Sequence, residues 1–210
     1  MLGTHDLAFF ALSVLLLAIT PGPDTLYIVG RSTTQGWKWG AMAVLGVAAG
    51  IFVHILAAAV GLSALLAASA TAFTVLKLVG AAYLVYIGVT LLLSRTRPPA
   101  TAAAPPRSLS LRRVFTEGFF TNVLNPKVAL FFLAFLPQFI DADAANKPLA
   151  FLFLGVMFNV IGSSWNLFTA WSAVYLRNRL RSGAGIAWLN RTIGAMFIYL
   201  GVKLAFTRLN

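Results

Sequence analysis

Thr20-Pro21-Gly22-Pro23-Asp24 interrupts an apolar run that begins at Leu7 and continues to about Gly30, and Asn125-Pro126-Lys127 does the same to a second run over residues 114–139. Proline lacks a backbone N–H and its ring clashes with the carbonyl four residues back, so neither run can form one unbroken helix. Each break also places a polar or charged side chain where hydrocarbon would otherwise surround it. Backbone freed inside a bilayer must find partners, so such breaks persist only where protein or a water-filled cavity encloses them. Paired breaks at corresponding positions of two halves point to a substrate site in a transporter.

The composition around these breaks belongs to the membrane class. Of 210 residues, 60% are hydrophobic and 10% charged, with a mean hydropathy of +0.86, whereas a soluble domain is about a quarter charged. Six stretches, near residues 7–30, 39–62, 74–93, 114–139, 149–176 and 186–206, are long enough to span roughly 30 Å of hydrocarbon at about 1.5 Å per residue. The first resembles a signal peptide, but it lacks a basic opening and a small-residue cleavage site, and apolar character resumes after the prolines. It reads as a retained span. There are no cysteines, which excludes disulfide frameworks and thiolate metal sites.

A polar, proline-containing segment divides the stretches three and three. The chain therefore reads as one transmembrane domain over residues 1–210, with a repeat over about 1–95, a cytoplasmic linker over about 96–112 and a second repeat over about 113–210. Tyr86-Ile87-Gly88-Val89 in the third stretch matches Tyr199-Leu200-Gly201-Val202 in the sixth. Three spans per repeat force the second copy to enter the membrane upside down. The predicted fold is an all-α integral membrane protein whose six transmembrane helices form two inverted three-helix repeats, with spans one and four broken by proline.

Eleven of the sixteen Lys and Arg residues fall in the loops after stretches one, three and five, Arg31 and Lys38 among them. The positive-inside rule places those loops in the cytoplasm and both termini on the opposite, periplasmic side. The net charge of +11 is accordingly an orientation signal and not a nucleic-acid surface.

Of the five acids, Asp24 is best placed within the membrane, near the start of the second half of span one. It either caps that half-helix or serves as a polar ligand or proton site, since intramembrane ionisable groups are costly and usually functional. Lys127 is its counterpart, roughly 20 Å from the cytoplasmic start of span four, and is expected to neutralise Asp24 or to bind a substrate carboxylate. With Pro21, Gly22, Pro23, Asn125 and Pro126, the broken backbones offer N–H groups that suit a carboxylate and carbonyls that suit an ammonium group.

In span two, Gly46, Gly50, His54, Ala57 and Gly61 share one helical face. His54 is a packing histidine or a proton relay, and no second His lies near enough to make a metal site. In span five, Asn159, Ser163 and Asn166 form a polar stripe with Gly155, Ala170 and Ala173, lining a cavity or meeting another helix. Glu117 is placed to pair with Arg112 or Arg113. No nucleotide-binding loop, nucleophile elbow or zinc-protease helix occurs, so no cofactor, metal or catalytic residue is assigned.

Ile19-Thr20-Pro21-Gly22-Pro23-Asp24, followed by Gly46-x-x-x-Gly50-x-x-x-His54, resembles the lysine exporter (LysE/RhtB) family of amino-acid efflux translocators. So does Gly118-Phe119-Phe120-Thr121-Asn122-Val123-Leu124-Asn125-Pro126-Lys127, running on to Phe131-Phe132 and Leu136-Pro137-Gln138-Phe139. The resemblance implies a bacterial inner-membrane exporter of amino acids or close derivatives, coupled to the proton motive force, with a homo-oligomer among its possible assemblies. The family often carries Asn after Pro-Gly-Pro, where this chain has Asp24. Members that export basic amino acids tend to carry an acid in span two, where Ile51 and Phe52 stand here. A neutral substrate, of the threonine, homoserine or branched-chain type, is therefore favoured. The alternatives are efflux of another small solute or a divalent cation, for which the chain holds few membrane acids, and a non-transporting membrane scaffold, which gains nothing from polar breaks.

Overall fold

A computed structural model describes residues 3–62, 70–93 and 110–176, together with 195, 198, 199, 202, 205 and 206. The first apolar run splits at its prolines into α1 (Leu7–Ile19) and α2 (Pro23–Gln35), which meet at 56°. Pro23 opens α2, where its missing N–H would have had no helical partner anyway. Nothing stops α2 before Gly36, whose φ of 92° lies in the region that favours glycine. The helix therefore runs past residue 30, and Arg31, expected in a loop, sits on it with its guanidinium 3.3 Å from Gln35 one turn on.

Gly36 leads directly into α3 (Trp37–Ala57), which ends in a π turn over Ala58–Leu62. Helix α4 (Ala70–Leu93) falls on the third predicted stretch. Ser110 caps α5 (Leu111–Val123) by accepting the Arg113 N–H. After Asn125, α6 (Pro126–Leu130) continues through a π turn at Phe131–Phe135 and a 3-10 turn at Leu136–Phe139, and this assembly meets α5 at 44°. Helix α7 covers Lys147–Leu176.

Trp37–Gly61 and Lys147–Tyr175 are each long and apolar enough to cross a membrane, and each bent pair meets the same criterion as a unit. The described residues thus hold two to four candidate spans. Most of the linker, of the sixth predicted stretch and of its match to the third lies outside the described residues.

The outward surface is what an aqueous protein would bury. Leu26, Leu45, Leu56, Val60 and Leu124 are all more than half exposed, as lipid-facing residues are. Inside, α3 and α5 pack backbone to backbone. A Cβ on Gly46 would collide with the Phe115 carbonyl, and one on Gly50 or Gly118 would lie 2.7 Å from the carbonyl oxygen of Phe119 or Ala43. Small residues permit this approach, which maximises dispersion contact where lipid removes the hydrophobic drive. Phe10, Phe131, Phe135, Phe139 and Phe158 fill the opposite side with ring centroids 4.9 to 5.2 Å apart, joining α1, the segment after α6, and α7.

Candidate functional site

The two proline breaks meet, and each supplies what the other lacks. The last carbonyls of α1 have no helical partners, and the first turn of α2 carries the positive end of its dipole. Lys127, from the second break, donates its Nζ to the carbonyl oxygens of Leu17 (3.1 Å) and Thr20 (3.0 Å). Asp24, in the first turn of α2, accepts at Oδ2 from the amides of Asn122 (2.9 Å) and Asn125 (3.0 Å). Asn125 in turn caps α6, its Oδ1 accepting the Lys127 backbone N–H at 3.0 Å.

The expected neutralisation of Asp24 by Lys127 takes no direct form. Among the described residues, ion pairs within 4 Å join His5 to Asp6 and Asp141, and Glu117 to Arg31 and Arg113. The Lys127 ammonium is drawn instead to the freed carbonyls at the end of α1. It nevertheless lines the same cavity as Asp24, together with Thr25, Asn122, Phe158 and Asn166. The cavity has a volume of about 30 Å³, room for a water and little more.

Asp24 and Asn122, both in the cavity wall, each carry a buried acceptor without a hydrogen-bond partner, Oδ1 in both cases; the Asn122 Oδ1 lies against Gly50 of α3, 3.1 Å from where a Cβ would stand. The amide orientations are fixed by chemistry, because a carboxylate oxygen can only accept. Asn122 must turn its Nδ2 to Asp24, which leaves its Oδ1 bare.

The remaining predicted residues divide. The Asn122 backbone carbonyl lies 3.0 Å from His54 Nε2 and can only accept, so that nitrogen carries the proton. His54 thus packs behind Asn122, outside the cavity lining. Gly46 and Gly50 face α5, but Ala57 and Gly61 are exposed, so the small-residue face ends where α3 passes into its π turn. On α7, Asn159 donates to the Ala48 carbonyl at 3.1 Å and accepts from Ser163 at 3.0 Å, tying α7 to α3, whereas Asn166 faces the cavity. Pro21, Pro23 and Pro126 are exposed and shape the breaks. Gly22 lies against Lys127, whose Nζ would be 3.0 Å from an added Cβ.

Asn122 and Thr25 received no role in the sequence reading. Asn122 is completely buried and stands three residues before Asn125, a spacing that puts both amides on one helical side; that spacing was the available signal. Away from the cavity, Glu117 accepts from Arg113 Nε (2.9 Å) as expected and also from Arg31 of α2 (2.9 Å), with the Tyr27 hydroxyl 3.1 Å away.

Residues 15–208 match the LysE type translocator family. The chain belongs to that family. This translocator is 34% identical to an uncharacterised membrane protein of Pseudomonas aeruginosa, covering 100% of the chain and 99% of that protein. It is 32% identical to an uncharacterised membrane protein of Vibrio cholerae, over 96% and 97% of the two lengths. With a leucine efflux protein of an Enterobacter species it shares 29% identity over 97% of the chain and 96% of that protein. No solved structure matches it. The translocator is a multi-pass membrane transporter and not an enzyme.

Proposed function

We propose that this translocator exports neutral, branched-chain-type amino acids from the cytoplasm across a bacterial inner membrane by alternating access, driven by the proton motive force. The observation that carries this reading is the interlock of the two breaks around one small cavity. Asp24 and Lys127 bring opposite charges to it, and Val14, Leu17, Val47, Ile51 and Phe158 complete its wall with apolar side chains. A solute with an ammonium group, a carboxylate and an aliphatic side chain matches that set. The leucine efflux proteins among the relatives support leucine as the first substrate to test.

In this reading the repeats over about 1–95 and 113–210 are inverted copies of one three-helix unit, and rock about the breaks. Positive charge near the junctions after spans one, three and five, Arg31 at the end of α2 and Lys38 at the start of α3 among it, supports cytoplasmic ends there and periplasmic termini. Contacts between elements lie on both sides of the cavity. Arg31 and Glu117 join α2 to α5 on one side, and Gly3 and His5 pair with Asp141 and Phe139 on the other (2.9 and 3.1 Å). In this reading, opening to either side requires one of these sets of contacts to break.

The test is export. Cells expressing the chain and fed leucine-, valine-, threonine- or lysine-containing dipeptides are expected to release leucine and valine fastest and lysine slowest. Release no faster than from cells without the chain, despite confirmed membrane expression, refutes the reading.

A further inference from the structure

The bare oxygens at the cavity have a shared chemical meaning. Oδ1 of Asp24 and Oδ1 of Asn122 are both acceptors and both buried, and neither has a donor. An unsatisfied buried acceptor costs about 1–3 kcal/mol, and more if charged, and both residues belong to the cavity wall, so a donor reaching them there gains from two acceptors. The carbonyls that the sequence offered to an ammonium group, those freed at the end of α1, are already taken by Lys127. A hard metal cation would require more oxygens than these two.

We infer that Asp24 Oδ1 and Asn122 Oδ1 form a single-occupancy cation seat, taken in turn by the substrate ammonium and by the coupling proton. This rests on the transport reading above and gives it a coupling mechanism. The ammonium group donates to both oxygens while Asp24 is ionised. On the outer side a proton from water bonds to Oδ1, the carboxyl becomes neutral, and the ammonium leaves with its own protons. The new O–H can donate where the ammonium did. On the inner side that O–H bond breaks, the proton passes to water, and the freed oxygen receives the next ammonium. One proton enters for each zwitterion exported, and the shared oxygen forbids carrying both at once.

Two other titratable groups act electrostatically on Asp24, Lys127 from α6 and His54 from α3, while α5 and α7 present the neutral Asn122 and Asn166 to the cavity. His54 Nε2 is engaged by the Asn122 carbonyl, and Lys127 Nζ by two carbonyls, so Asp24 holds the free acceptor.

Asp24→Asn is a sharp test. Asn122 and Asn125 both donate to the Oδ2 position, so the new amide must place its oxygen there and its NH2 where Oδ1 was. The seat then presents a donor to an ammonium group. Leucine, 3-methylbutylamine and 4-methylpentanoate are titrated against the purified full chain by calorimetry in buffers of different ionisation enthalpy. For the wild type, leucine affinity is expected to rise with pH by up to about tenfold per unit below the carboxyl's titration, with proton release on binding. Asp24→Asn is expected to lose about tenfold or more for leucine and the amine, to lose the proton release, and to keep 4-methylpentanoate affinity, which also certifies its fold.

Proton release that survives Asp24→Asn and disappears in His54→Gln overturns the seat. So does an equal loss for leucine and 4-methylpentanoate, or leucine binding that requires Na⁺ in place of choline. In the wild type alone, leucine binding that shows neither proton release nor a fall in affinity at any pH down to the lowest at which the chain stays folded overturns it whether or not the variant folds. Leucine binding and counterflow that persist beside any of these results leave the transport reading standing. Binding of the amine but not of leucine supports the seat and refutes amino-acid export.

Discussion

Asn125 divides its amide between the two breaks: its Oδ1 accepts the Lys127 backbone N–H at 3.0 Å, and its Nδ2 donates to Asp24 at 3.0 Å. One side chain is thus the N-cap of α6 and a ligand of the acid in α2. Asn125→Ala removes a cap and a hydrogen bond to a charged group, together worth roughly 2–4 kcal/mol. The expected outcome is a lower melting temperature in detergent and loss of export. Asn125→Asp keeps the cap but sets a carboxylate against Asp24, so it is expected to melt nearer the wild type than Asn125→Ala at a pH low enough to protonate one of the pair. Equal melting of Asn125→Ala and wild type would show that the interlock contributes no stability.

The α3–α5 crossing separates glycines that look alike in the sequence. Gly50→Ala drives a methyl group to 2.7 Å from the Phe119 carbonyl oxygen, whereas an added Cβ at Gly61 meets nothing within 4 Å. Overpacking of this kind costs about 1–3 kcal/mol. Gly50→Ala is expected to reduce the folded fraction on size-exclusion chromatography, with Gly61→Ala indistinguishable from wild type. The reverse order would mean that Gly61 and not Gly50 carries a close contact.

How far the sequence reveals this site depends on the kind of interaction. Prolines act on their own backbone, so the breaks at Pro21–Pro23 and Pro126 are legible without tertiary information. The same holds for helices at the first five of the six predicted stretches. Partner choice is different. Asp24 and Lys127 looked complementary because charge is a property of single residues. Which atoms lie nearest is a property of the fold, and the carbonyls of Leu17 and Thr20 reached the ammonium first. The stripe on α7 divides for the same reason. Asn159 and Asn166 share a helical face, but only one of them meets the cavity, because α3 covers the turn that bears Asn159. The family, by contrast, was readable from residue identity in the two proline motifs, and the match over residues 15–208 agrees with it.

Lys127 is expected to be needed for folding as well as for transport. Lys127→Met keeps much of the stem but leaves the Leu17 and Thr20 carbonyls without their donor, at about 1–3 kcal/mol. Lower thermal stability together with loss of leucine export is the predicted result. A variant that melts with the wild type and still exports leucine at the wild-type rate would remove Lys127 from both roles.

Glu117 offers a way to test closure directly. Its carboxylate joins Arg31 of α2 to Arg113 of α5, with the Arg31 and Glu117 side chains 17% and 32% exposed. Partial burial and a three-member network favour a contribution near the upper end for such pairs, about 1 kcal/mol, equivalent to roughly a fivefold shift between closed and open states. The chain has no cysteine, so Thr25→Cys places a single thiol at the cavity wall. Adding Glu117→Gln is expected to raise labelling of that thiol by a water-soluble maleimide about fivefold from the side of the membrane on which Glu117 lies. Labelling from the opposite side is expected to fall, because alternating access opens one end only as the other shuts. Unchanged labelling from both sides would show that the Arg31–Glu117 contact does not hold that end closed.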